Sequence, residues 1–434
     1  MFGGLLKSTS RLALVAAASV VGGISAQAAD LGGNCCADLE ERVAELEATT
    51  ARKGNRKVSL TVSGQVVKEM LYHDHNAANS FRTGNLQFRD GDTQGTRFRF
   101  LGTAKVTSDV TFGYLLEINV NEDYATGTTV STATAGTAVF NIRQSHFYAT
   151  SKTLGSIAIG QLSQATDGIH AINLGSSGIF AGYLDDNHSN ALGGSIGTFN
   201  TDGVFDGLRR TGARYTSPTF AGFIMSTGWY HADQSYTSSP ISSDGYRDND
   251  EVWDVALRYA GEFNGIRIAA GIGYQSLSEY NQALPATDNS FDMMSGSLSL
   301  MHVPTGLFVA GSYGQADYDG TSANADRDFW GVSLGIQKNF FGIGNTTIYG
   351  QYMDVGYDLG SNASVASGNC VSGGLAALSI QASARCDGTM WGLGVTQAID
   401  AAATDLFVYY QSYESNSLVG GNAATLAAGA SIKF

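Results

Sequence analysis

The chain has little of what builds a soluble globular core. Only 15% of its 434 residues are charged and only 4 are proline, whereas a soluble domain carries about 25% charged residues. After the N-terminal region no apolar run approaches the roughly 20 residues that a membrane-spanning helix needs. Positive charge is short, with 25 Lys and Arg against 39 Asp and Glu for a net of -14, which argues against a nucleic-acid partner bound by phosphate neutralisation. The 7 histidines show no spacing that names a hydrolytic triad. His73 and His75 read as exposed polar residues at a strand end rather than metal ligands. Paired glycines such as those of "GIG" lack the helix context of a nucleotide-binding turn. No metal and no cofactor is therefore expected. What is plentiful is glycine, at 55 residues, and aromatic side chains, at 10%.

The N-terminus gives a compartment. Lys7 and Arg11 precede an apolar run from Leu12 to Ile24, and Ala26 and Ala28 flank Gln27. This is the pattern of a secretory signal, residues 1–28, cleaved before Ala29. Cys36, Leu39, Val43, Leu46 and Thr50 then follow the 3,4 spacing of a coiled-coil seam. Residues 29–56 thus read as a periplasmic helical segment with a basic linker, "ARKGNRK". Two heptads alone are marginal and need partners.

Beyond Lys57 every segment reads as strand or loop. In "GIRIAAGIGYQ" Ile266, Ile268, Ala270, Ile272 and Tyr274 fall on one side, and Arg267, Ala269, Gly271, Gly273 and Gln275 on the other. In "TFGYLLEINV" the same alternation sets Phe112 to Val120 against Gly113 to Asn119, which places Glu117 with Arg267 on the second face. That face is small or polar in strand after strand. A packed soluble core needs large side chains opposed to large ones, so the apolar face is assigned to lipid and the other to a lumen. About sixteen such segments occur, most near the 9 to 11 residues of a tilted bilayer-crossing strand. Tight links such as "FNG" and "PTG" alternate with long polar ones such as "HNAANSFRTGNLQFRDGDTQG". The fold class is all-β, a transmembrane antiparallel β-barrel over residues 57–434 with a short N-terminal α-helical, coiled-coil-like segment.

The chain ends "AATLAAGASIKF", with Leu426, Ala428, Ala430, Ile432 and Phe434 on the outward face. A terminal Phe on such a strand resembles the assembly signal of Gram-negative outer-membrane proteins, read by the barrel assembly machinery. With "CCADLEERVAELEATTARKGNRKVSLTVSGQV" near the start, the chain resembles the alphaproteobacterial general porins. That resemblance implies a homotrimer in outer-membrane lipids that passes small hydrophilic solutes and ions by diffusion. It also implies a third external loop folded into the lumen.

The longest connection, about residues 163–206, is rich in apolar residues for an exposed loop, and loops of that length carry function. Ile179, Phe180, Tyr183 and Leu184 could pack it against the wall, with Asp185 and Asp186 at its tip. Opposite charge is available on the wall. Phe98 and Phe100 outward place Arg97 and Arg99 inward, Arg143 shares a face with Asn141 and Ser145, and Arg210 and Arg214 lie opposite Tyr215. These five arginines and two aspartates form the expected constriction, with a transverse field between them. Gln144 and His146 are then directed outward, toward a subunit contact. Cys370 and Cys386 sit near the ends of one polar stretch and, in an exported chain, can close a disulfide that stabilises by about 3 kcal/mol. Two alternatives remain: a sugar- or anion-selective channel on the same barrel, and an outer-membrane enzyme.

Overall fold

The computed structural model describes residues 57–75, 85–91, 95–120, 140–176, 205–231, 251–279, 289–319, 325–359, 385–415 and 422–434. The signal, the helical segment with Cys35 and Cys36, and Cys370 lie outside the described residues.

The strands are β1 (Ser59–His75), β2 (Asn85–Asp90), β3 (Arg97–Lys105), β4 (Val110–Val120), β5 (Phe140–Ser151), β6 (Gly155–Ser163), β7 (Arg209–Thr216), β8 (Phe223–His231) and β9 (Glu251–Phe263). They continue with β10 (Ile266–Glu279), β11 (Asn289–His302), β12 (Leu307–Asp319), β13 (Ala325–Lys338), β14 (Thr346–Leu359), β15 (Arg385–Ile399), β16 (Thr404–Ser415) and β17 (Ala423–Lys433). All neighbours are antiparallel, and β1 closes the sheet by pairing with β17 on one edge and with β2 and β3 on the other. Closure leaves no strand edge, which is what allows a sheet to cross lipid.

Short connections gather at one end. The β9–β10 link is Asn264 and Gly265, with φ of 50° and 75°, the two positive dihedrals that a two-residue hairpin turn requires. Residues 106–109, 152–154, 303–306 and 400–403 make other tight links at the same end. The first and last strands meet there too. Gly64 N–H donates to Phe434 O at 2.9 Å and Phe434 N–H to Gly64 O at 3.1 Å. The Phe434 ring covers Gly64 so closely that a Cβ there would stand 2.5 Å from the ring.

The alternation places large apolar side chains outside. Trp391, Leu393 and Val395 are exposed while Gly392, Gly394 and Thr396 are buried, and Leu426 and Ile432 on β17 and Phe434 just after it are exposed. Water would penalise such a surface and lipid does not.

Three features depart from the sequence reading. First, "NLQFRD", read as loop, is strand β2, paired with β1 from Lys68↔Asp90 to His73↔Asn85. β2 and β3 are two halves of one wall strand, so the seventeen-stranded sheet is a sixteen-stranded barrel. Asp90 caps the break, its carboxylate accepting the Thr96 N–H at 2.8 Å and the Lys68 ammonium at 3.1 Å.

Second, β5 carries a bulge. The register passes from Glu117↔Gln144 to Ile118↔Ile142, leaving Arg143 as the extra residue. A bulge shifts the side-chain alternation by one. Gln144 and His146 therefore join Glu117 and Leu115 on the lumen face, not the outer one, and Ser145 and Phe147 are exposed outside.

Third, the inner face is not uniformly small. Met293, Phe329, Met353, Met390 and Tyr413 form a buried apolar cluster there with Phe205 of the β6–β7 connection. These residues oppose exposed outward neighbours such as Met294, Trp330 and Trp391.

Candidate functional site

Glu117 on β4 is the centre of the basic wall. Arg99 on β3 donates its Nε to Glu117 Oε2, Arg143 donates its Nε to Glu117 Oε1 at 2.7 Å, and Arg97 Nη1 lies 4.0 Å from the same oxygen. The sequence brings them together by two devices. Arg97 and Arg99 alternate with outward Phe98 and Phe100, in register with Asn119 and Glu117. Arg143 arrives through the bulge, which lets β5 present Arg143 and Gln144 on one side.

Further along the wall, Arg210 and Arg214 on β7 share the lumen face with Gly212, in register with buried Leu162 and Ala158. Arg214 Nη1 donates to Ser163 O at 2.6 Å. Arg209 lies within Coulombic reach of both Arg97 and Arg143. Arg258 and Asp254 on β9, which the sequence reading passed over, are also buried on the lumen side. Their signal was the one used for Arg97: a charged residue between outward large ones, here Trp253 with Val255 and Leu257 with Tyr259.

The β6–β7 connection runs along the inner wall. The Thr166 N–H donates to Asp254 Oδ2 at 2.8 Å, the Ala165 N–H to the Tyr230 hydroxyl at 3.1 Å, and Gln164 Nε2 to Gln275 Oε1 at 2.9 Å. Farther on, Ile172 N–H donates to Ser297 Oγ at 3.1 Å, Ser312 Oγ to His170 O at 2.6 Å, and Gln337 Nε2 to Gly175 O at 3.0 Å. The segment thus bonds to strands from β8 to β13. Each bond contributes about 1 kcal/mol net, and the set satisfies a backbone that would otherwise be buried without partners.

The small face of β10 is the seat. A Cβ at Gly271 would stand 2.6 Å from Ile172 Cδ1, and one at Gly273 would stand 2.8 Å from Thr166 Cγ2. So Ala269, Gly271, Gly273 and Gln275 face the inward loop, while Arg267 near the turn pairs with Glu262 at 3.3 Å.

The two roots of the loop are tied together. The Gln164 N–H donates to Leu208 O at 2.9 Å, and the Leu208 N–H to Gln164 Oε1 at 2.8 Å. Asp206 accepts the Gly168 N–H and lies 3.4 Å from His170 Nδ1. Burial alone would raise the Asp206 carboxyl, but His170 and the Gly168 amide hold it below the ordinary carboxylate range. Burial, with the Asp206 charge beside it, pushes Asp167 above that range.

Asp185 and Asp186, with Ile179, Phe180, Tyr183 and Leu184, lie outside the described residues. The backbone of Cys386 pairs with Tyr357 on β14, and Cys370, expected from the sequence to bond to it, is not among the described residues. Those residues hold no cluster of His, Cys, Asp and Glu that could bind a metal.

A family model described as Gram-negative porin matches residues 12–418. Among solved structures, the anion-selective porin from Comamonas acidovorans aligns with a TM-score of 0.54 at 13% identity, covering 87% of this chain and 100% of that one. OmpT, an outer membrane protein of Vibrio cholerae, aligns with a TM-score of 0.54 at 12% identity over 88% of this chain and 99% of its own. The outer membrane channel DcaP of Acinetobacter baumannii gives a TM-score of 0.53 at 12% identity, with 89% and 100% covered. At such identities the likeness is one of fold. Comparison with curated protein sequences finds no match.

Proposed function

The chain belongs to the Gram-negative porin family, and on that premise we propose that solutes pass its lumen at a constriction formed by the basic wall and the inward loop. It is an outer-membrane channel for passive diffusion of small hydrophilic solutes. The observation that carries the constriction is the course of residues 164–176 along the inner wall, from Asp254 to Gln337, which narrows the passage beside Arg97, Arg99, Arg143, Arg210 and Arg214. Asp185 and Asp186 supply the acidic edge in this reading. The lumen groups act by charge and shape alone, so the reading is a channel rather than an enzyme.

A homotrimer is the second element of the proposal, supported by the unevenness of the outer face. The chain's 4 tryptophans, Trp229, Trp253, Trp330 and Trp391, are all exposed and lie on β8, β9, β13 and β15. Interfacial aromatics of this kind sit at lipid headgroups. The arc from β1 to β7 has no tryptophan, and its exposed aromatics are Phe and Tyr. Instead, Ser145, Gln161 and Thr211 form one polar row in register across β5, β6 and β7, and Lys68 pairs with Asp90 at 3.1 Å on the outer side of β1. Polar rows suit a protein neighbour better than hydrocarbon. Export by residues 1–28, a helix in residues 29–56, recognition of Phe434 by the assembly machinery, and the Cys370–Cys386 disulfide complete the proposal.

Swelling of proteoliposomes in neutral sugars of graded size tests the constriction. Swelling that falls steeply with solute size is expected. Equal swelling for all sizes below the full barrel bore would remove the narrowing by the loop.

A further inference from the structure

The carboxylate at the centre of the basic wall is hidden, while two of the guanidiniums around it are partly exposed. The Glu117 side chain has 0% exposure, while those of Arg99 and Arg143 have 43% and 22%. With Arg97 the four groups carry two net positive charges, since Arg stays protonated at any working pH. An ion in the lumen therefore meets the arginines first, although the whole chain is acidic at -14.

The hydrogen bonds also fix how the two forks point. Arg99 and Arg143 each give Nε to Glu117, one to each oxygen. Among the described residues their Nη groups make no hydrogen bond. Glu117 thus holds the two guanidiniums side by side by their Nε nitrogens and leaves their terminal Nη donors unused. Paired terminal N–H groups are the geometry that carboxylate and phosphate oxygens take in a bidentate fashion.

We propose that Arg99 and Arg143 form an oxyanion clamp on the lumen wall, positioned by Glu117, that favours solutes bearing a carboxylate or phosphate group. This rests on the porin reading and adds a solute class to it. The bulge is part of the device, because strict alternation would not bring Arg143 and Gln144 to the same side of β5. Lysine could replace the charge of either arginine but not its planar fork.

Inorganic phosphate is the probe, with the full protein reconstituted in planar bilayers. Wild-type channels are expected to favour chloride over potassium in a salt gradient, and phosphate is expected to reduce the chloride current saturably. Changing Arg99→Lys together with Arg143→Lys should keep the chloride preference while weakening the phosphate block about tenfold. Glu117→Gln should strengthen the chloride preference and weaken the block, a split that simple loss of folding does not produce. A cation preference in the wild type, an unsaturable phosphate effect, or an unchanged block in the lysine variant would each overturn the clamp while leaving the pore intact. A complete lack of channels would remove the porin reading itself, and the clamp with it.

Discussion

Arg143 reaches Glu117 Oε1 at 2.7 Å from the one residue of β5 that has no partner on β4. The ion pair and the bulge are one feature: the extra residue aims the guanidinium into the wall, and every side chain from Gln144 to Ser151 takes its face from that shift. Cysteine placed at position 144 is expected to react with a water-soluble thiol reagent small enough to enter the pore, and cysteine at 145 to resist it. Peptide mass analysis distinguishes these sites from the native cysteines. Equal labelling at 145 would mean that the bulge is absent.

The β10 glycines leave room for the loop. Gly273→Val adds atoms where a Cβ alone would already stand 2.8 Å from Thr166. Overpacking of this kind costs about 1–3 kcal/mol, enough to unseat a segment held by single hydrogen bonds. The folded barrel should persist, with greater hydrogen exchange at the Thr166 and Ile172 amides and altered conductance. Unchanged exchange would show that the loop does not rest on β10.

The loop roots depend on pH through Asp206. Its carboxyl is held below its ordinary value of 3.8 in the folded chain, so the stability it contributes is present above that value and lost as pH falls through the depressed one. Asp167, raised by burial, works in the opposite sense and relieves a cost as it protonates. Exchange at the Gly168 amide, which donates to Asp206, should therefore be slow at neutral pH and rise only below about pH 4, after correction for intrinsic rates. In Asp206→Asn that rise should disappear.

The acidic edge is tested separately from the basic one. Changing Asp185→Asn and Asp186→Asn should move ion preference toward anions, because the wall arginines lose their counter-charge across less than a Debye length. Unaltered selectivity would place the two aspartates outside the passage.

Much of this architecture was legible in the residues. Alternation in "TFGYLLEINV" and "GIRIAAGIGYQ" set the faces of β4 and β10, and the terminal Phe434 marked the last outward position. Arg97, Arg99 and Glu117 were placed on the lumen side by their neighbours alone. Two things were not legible for a physical reason. A bulge adds one residue without a composition signal, so the faces of Gln144 and His146 came out reversed. Burial of Met293, Phe329 and Met390 inside the barrel depends on what covers them, and a strand pattern does not report that. β2 did carry a signal, Leu86 and Phe88 alternating with polar residues, but it lay between polar stretches that resemble loop.

Single-channel recording of the purified full protein in a planar bilayer tests the central claim most directly. Discrete, stepwise conductance increases with a nearly linear current–voltage relation are predicted, from protein whose spectrum is rich in β-structure. The same β-rich protein inserted without any conductance steps would contradict an open diffusion pore.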